Sequence, residues 1–89
     1  MTRLSEQRVA EIRGVLADVL EVDESRIGED TLFKEDLDAD SMKLIEVLAR
    51  LEIEYDVEID ESELDRMVNL RGVCEVLAQA LGAQEKAAE

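Results

Sequence analysis

The sequence predicts an all-α fold in which three amphipathic helices and one short helical turn meet at a single core, with a long connector between the first two helices. Three observations carry this. Apolar residues recur at steps of three and four in three separate stretches, the spacing of one helix face. Strands need β-branched and aromatic residues in period-two alternation, yet the chain has one Phe, one Tyr, no Trp and no such alternation. The 89 residues make one domain with room for one small core. A hydrophobic fraction of 46% is enough to fill that core despite the heavy charge.

Taken in order, Val9, Ile12, Leu16 and Val19 form the first stripe, widened by Leu20. Thr2 or Ser5 caps this helix, which runs to about residue 20. The segment from Glu21 to Asp40 is then long for a connector between bundle helices, where roughly 2–8 residues are usual. Ile27, Leu32, Phe33 and Leu37 dot it and are expected to pin it onto the bundle. Ser41 opens the second helix, whose stripe is Leu44, Leu48, Leu51 and Tyr55 with Ile45 beside it. Residues 61–67 form a short helical turn through Leu64 and Met67. The last stripe is Leu70, Val73, Leu77 and Leu81 with Cys74 beside it, capped by Asn69 and closed by Gly82. This gives a domain over residues 1–82 and a flexible C-terminal tail over 83–89.

Charge excludes several function classes. The net charge is −14, which repels nucleic acid and anionic lipid. The absence of histidine removes the commonest general base and metal ligand. A lone Cys74 makes neither an internal disulfide nor a zinc cage, and is expected to be a small buried side chain. No apolar run follows Met1-Thr2-Arg3-Leu4-Ser5-Glu6, and no window is long enough to span a membrane. A reduced cytoplasmic location is the expectation. The charge is also uneven: residues 21–65 hold 18 acids and 4 bases, while the flanking stretches balance. Such a face either keeps the domain soluble or docks basic partners through a field that speeds encounter.

Two chemistries fit an acidic loop that runs into a helix. The first is calcium. Asp36, Asp38 and Asp40 have the D-x-D-x-D spacing that opens an EF-hand loop, but Ser41 stands where Gly is needed and Val47 where the bidentate Glu belongs. The register from Asp23 has Gly28 in place but ends on Lys34. Neither loop completes a coordination shell, so no metal site is expected beyond weak, nonspecific divalent binding. The second is a covalent anchor on Ser41, where unpaired backbone N–H groups favour an attached anion such as a phosphodiester. An ordinary N-cap serine is the plainer alternative. With no His or Lys pairing, Ser41 cannot activate itself, so another enzyme must do so.

The run Leu37-Asp38-Ala39-Asp40-Ser41-Met42, then Leu44-Ile45-Glu46, then Leu51-Glu52-Ile53-Glu54-Tyr55-Asp56-Val57-Glu58-Ile59, resembles the acyl carrier protein family. Asn69-Leu70-Arg71-Gly72-Val73-Cys74-Glu75-Val76-Leu77 is similar to that family's last helix. The resemblance covers roughly residues 4–81 and makes 1–82 an acyl carrier domain. It implies a four-helix bundle with one short helix. It implies that Ser41 receives 4′-phosphopantetheine from coenzyme A through a separate magnesium-using transferase, which Asp40 helps to engage. The arm then holds acyl groups as thioesters, so the chain is a carrier and not an enzyme. Met42, Ile45 and Glu46 would face partner enzymes, with Glu52 further along the helix. Those partners are the phosphopantetheinyl transferase and acyl-loading, condensing and modifying enzymes with basic docking patches, met by a monomer.

The sequence departs from the family pattern at several points. Lys43 stands where many fatty-acid members have an acid, Ile53 breaks an acidic pair, Asp38 replaces a frequent glycine, and Asp60 a frequent proline. These departures favour a polyketide or other specialised pathway at least as much as fatty-acid synthesis. A peptidyl or aminoacyl carrier, a noncovalent acidic adaptor and a calcium sensor are the alternatives. Arg50 is expected to pair with Glu46 or Glu54 along its own helix, Tyr55 to pack with its hydroxyl outward, and Met67 to lie in the core.

Overall fold

The computed structural model describes residues 5–88, with side chains described for 5–82. Helix α1 spans Glu6–Leu20 and buries Ile12, Leu16, Val19 and Leu20. Its cap is Ser5, whose Oγ accepts the Arg8 N–H at 3.1 Å; Thr2 lies outside the described residues. The helix ends at Glu21 in the left-handed region (φ 58°), whose N–H donates to the Ala17 carbonyl.

The connector is held more firmly than its length implies, and it is partly helical. A 3-10 turn covers Glu24–Arg26, and Phe33–Asp36 forms α2, a single turn. That turn is an addition to the pattern read from spacing. The Leu32 N–H donates to Asp36 Oδ2 at 2.9 Å, and the Phe33 N–H to the Val68 carbonyl at 2.9 Å. Phe33 is fully enclosed and Ile27 nearly so. Arg13 Nε donates to the Ile27 carbonyl at 2.9 Å, and the Arg71 N–H to the Glu29 carbonyl at 3.2 Å, so the connector is tied to both flanking helices.

Helix α3 spans Ser41–Tyr55, buries Leu44, Val47, Leu48 and Leu51, and ends at Asp56 (φ 52°). It packs along α1. Three polar ties cross that seam: Glu21–Lys43 at 3.5 Å, Asp18–Arg50 at 3.0 Å and Glu11–Tyr55 at 3.1 Å. Arg50 therefore reaches across to α1 rather than pairing with Glu46 or Glu54 on its own helix. Arg8 lies 4.9 Å over the Tyr55 ring. Burial, with the hydrogen bond to Glu11, pushes the Tyr55 phenol up to about 12.

The short helix predicted at 61–67 is a 3-10 helix, Glu61–Arg66. Asp60 caps it by accepting the Ser62 N–H at 3.0 Å, and the Ser62 backbone and side-chain bonds hold that carboxyl below its ordinary value. Helix α4 spans Leu70–Ala88 and buries Leu70, Val73, Val76 and Leu77. It continues through Gly82, where the spacing predicts closure, because Ala83-Gln84-Glu85-Lys86-Ala87-Ala88 are good helix formers without a proline stop. The side chains of the expected tail, 83–89, lie outside the described residues.

Together α1, α3, the 3-10 helix and α4 make a four-helix bundle around one aliphatic core that includes Met67 and Phe33. No polar side chain is buried among the described residues. Cys74 packs against the core but is only partly buried; that burial, then the Glu29 carboxylate, raises its thiol pKa. Among the described residues no helix is long and apolar enough to cross a membrane.

Candidate functional site at the start of the third helix

The turn from α2 into α3 sets the site. Ala39 is buried and its N–H donates to the Phe33 carbonyl at 2.9 Å, which anchors the chain inside. Asp38, just before it, sits at φ 54°, a left-handed conformation that glycine adopts without strain. This explains physically why the position suits glycine, and it makes the chain turn sharply outward into α3.

Ser41 is therefore the first residue of α3, and it is exposed. It is not the cap. Asp40 takes that role: its Oδ1 accepts the Lys43 N–H at 3.0 Å, and its carbonyl accepts the Leu44 N–H at 3.2 Å. The Ser41 hydroxyl is thus left uncommitted among the described residues. The Ser41 and Met42 N–H groups also have no hydrogen-bond partner there, at the positive end of a 15-residue helix. A phosphodiester on Ser41 Oγ fits this end: it has space, unpaired donors and a favourable dipole. Neither a histidine nor an unpaired lysine stands beside the hydroxyl on α3 among the described residues. The chain has no histidine, and the Lys43 ammonium is drawn to Glu21.

The acids around Ser41 do not form a metal cage. Asp36 and Asp40 each spend an oxygen on a backbone N–H, and among the described residues no three acidic or cysteine side chains converge on one point.

Met42, Ile45 and Glu46 are exposed on α3, like Ser41. Glu52 differs. It is half-buried, and its Oε2 accepts the Ile59 N–H at 3.0 Å, tying down the segment that follows the helix. Ile53, noted in the sequence only as a broken acidic pair, is the more exposed neighbour. Its spacing of four from Ala49 and eleven from Met42 is the signal that places all three on one face.

Beside the site is a cleft of about 210 Å³, between α2, the first turn of α3 and the 3-10 helix. Leu32, Phe33, Leu44, Leu64 and Val68 give it an apolar lining, with Lys34, Glu35 and Asp65 also present. Leu44 lies three residues after Ser41, so the cleft is within one helical turn of the hydroxyl.

The family described as "Phosphopantetheine attachment site" matches residues 10–77. The chain is 49% identical over 79 residues to Polyketide-8 synthase acyl carrier protein 1 of Streptomyces avermitilis, covering 89% of this chain and 94% of that one. It is similar to a chain in the solved structure "The ishigamide ketosynthase/chain length factor", with TM-score 0.74 and 37% identity over 88% of this chain and 99% of that chain. It shares its fold with "Solution Structure of Oxytetracycline Acyl Carrier Protein", at TM-score 0.70 and 22% identity, covering 94% and 88% of the two chains.

Proposed function

Since the chain belongs to the acyl carrier protein family, whose cofactor is 4′-phosphopantetheine, we propose that Ser41 is the point of attachment and that the chain carries intermediates of polyketide synthesis. The observation that carries this is the uncommitted Ser41 hydroxyl at a helix end already capped by Asp40. When bound, the arm supplies a terminal thiol that holds an acyl group as a thioester. The chain's own residues do the rest. Asp40 fixes the first turn of α3 and so fixes where Ser41 points. The free N–H groups of Ser41 and Met42 stabilise the phosphodiester charge. With no base of its own, Ser41 forms its bond only when a phosphopantetheinyl transferase takes the hydroxyl proton, adenosine 3′,5′-bisphosphate leaving from coenzyme A.

The same features suit a carrier better than a catalyst. A convex helix end is open to many enzymes in turn, and an acidic surface gives fast, salt-weakened encounters with basic patches. The cleft lined by Phe33, Leu44 and Leu64 offers an apolar bed for part of an acyl chain. The polyketide assignment is supported by the 49% identity to a polyketide synthase carrier, with fatty-acid and aminoacyl cargo as the competing outcomes.

The test is loading from an acyl-coenzyme A carrying a labelled acyl group, with magnesium and a broad-specificity transferase. The expected result is one label per chain, released by neutral hydroxylamine as a thioester is, and none on Ser41→Ala. Label that resists hydroxylamine, or equal labelling of the alanine variant, would overturn the assignment.

A further inference from the structure

The cleft beside Ser41 combines two chemistries. Leu44, Leu64 and Val68 make an apolar bed, while Lys34, Glu35 and Asp65 bring charge to the same lining. Ionised carboxylates only accept hydrogen bonds, and aliphatic side chains neither donate nor accept. Lys34 is therefore the only side-chain donor that lines the cleft among the described residues.

This lysine also stands apart from most of the chain's other bases. Arg8, Lys43, Arg50, Arg66 and Arg71 each meet a carboxylate, and Arg13 meets the Ile27 carbonyl. Lys34 has no ion-pair partner among the described residues, although it lies in the stretch 21–65 with 18 acids and shares the cleft with two of them. Its backbone is held in place. The neighbouring Phe33 is fully enclosed, and the Phe33 N–H donates at 2.9 Å to the carbonyl of Val68, another lining residue. A lysine stem covers apolar surface while its ammonium stays in water, so an exposed Lys34 extends the bed and sets donors at its edge.

These groups decide what the cleft takes. A wholly reduced acyl chain uses the bed and leaves the donors to water. A short acyl group ending in a carboxylate has no tail for the bed and brings a third negative charge beside Glu35 and Asp65. A neutral chain with a keto oxygen and an aliphatic tail uses both parts: the ketone accepts from the ammonium without repulsion from the acids, and the methylenes lie on the bed. Resting on the carrier reading above, we infer that Lys34 is a cargo-selecting residue: it donates a hydrogen bond to the keto oxygen of an oxo-acyl chain tethered at Ser41, and so holds that chain in the cleft in preference to its reduced counterpart. One such bond at a water-exposed edge gives a preference of about threefold to tenfold.

The test loads Ser41 of the full chain with octanoyl, 3-oxooctanoyl or malonyl groups from the matching coenzyme A thioesters. NMR follows the Leu44, Leu64 and Val68 amides and the Lys34 side chain in the parent, Lys34→Met and Lys34→Arg, with thermal melting as the check on folding. In the parent, 3-oxooctanoyl is expected to shift the three amides and the Lys34 signals, with a bound-to-free ratio about threefold to tenfold above that of octanoyl. Lys34→Met keeps an unbranched apolar stem but removes the donors, so it should bring 3-oxooctanoyl down to the octanoyl level without lowering octanoyl; Lys34→Arg should restore the preference. Malonyl should leave the three amides unmoved. Equal 3-oxooctanoyl shifts in the parent and Lys34→Met, an octanoyl chain that occupies the cleft as fully as 3-oxooctanoyl, Lys34-dependent shifts from malonyl, or no shift from any chain would each overturn the inference. Loading separates the two levels: normal loading with any of these results removes this inference alone, whereas absent loading removes the carrier reading as well.

Discussion

Alanine at Gly72 is expected to destabilise the bundle, and alanine at Gly14 to stabilise it, although both glycines lie in helices. A Cβ on Gly72 would overlap the Arg66 carbonyl oxygen and stand 3.1 Å from its carbon and 3.3 Å from Asn69 Oδ1. The first of these is backbone at the end of the 3-10 helix, so no side-chain rotation relieves it. Either that helix moves away from α4 or the first turn of α4 distorts, and with it the Gly72 N–H bond to Asn69 Oδ1 at 2.9 Å. Overpacking of this kind costs about 1–3 kcal/mol. The usual gain of about 0.5–1 kcal/mol on replacing a helical glycine offsets part of it. The net loss is about 1–2 kcal/mol, a fall in Tm of roughly 4–16 °C for a domain of this size. Gly14 has nothing within 4 Å of its Cβ position, so only the gain remains there. Thermal unfolding followed by far-UV circular dichroism measures both variants. A Gly72→Ala protein that melts at or above the parent temperature would refute the packing of the 3-10 helix on α4.

Three further outcomes are expected. Leu48 is 5% exposed, so Leu48→Asp places an unpaired charge in the core at a cost of several kcal/mol; circular dichroism should show no cooperative transition, and a normal melt would mean the register of α3 is wrong. Asp38→Gly should stabilise by about 0.5 kcal/mol in urea unfolding, because relief of the left-handed strain exceeds the added chain entropy; a loss would contradict the positive φ at that turn. Tyr55 is the only tyrosine, and its phenol is pushed up to about 12 by burial and by Glu11. The stability it contributes is complete below its ordinary 10.0 and is lost as pH rises through about 12. Phenolate absorbance should therefore rise near pH 12 in the folded chain, and at lower pH in Glu11→Gln.

The long helices were legible because their stripes are local. Leu44, Leu48 and Leu51 state the face of α3, and the polar stretch before Ser41 states its start. The connector was legible only as pinned. Its single turn at Phe33–Asp36 depends on the Val68 carbonyl, 35 residues away in sequence, which no local pattern records. Arg50 shows the same limit: its own helix offers two acids, but Asp18 on α1 comes closer once the helices pack. At the site, the Asp-Ser-Met context picked out Ser41, yet either Asp40 or Ser41 can cap a helix, and only the backbone path shows that Asp40 does. Glu52 read as a surface acid because its partner, the Ile59 N–H, is brought round by the turn at Asp56. Ile53 stood out in composition, but its exposure depends on which face α1 covers.

The most direct check is fragment-ion mass spectrometry of the chain after incubation with coenzyme A, magnesium and a phosphopantetheinyl transferase. The whole added mass should be one phosphopantetheinyl group located on Ser41. A folded chain that gains nothing, or that gains the group on Ser5, Ser25, Ser62 or Cys74 instead, would contradict the account.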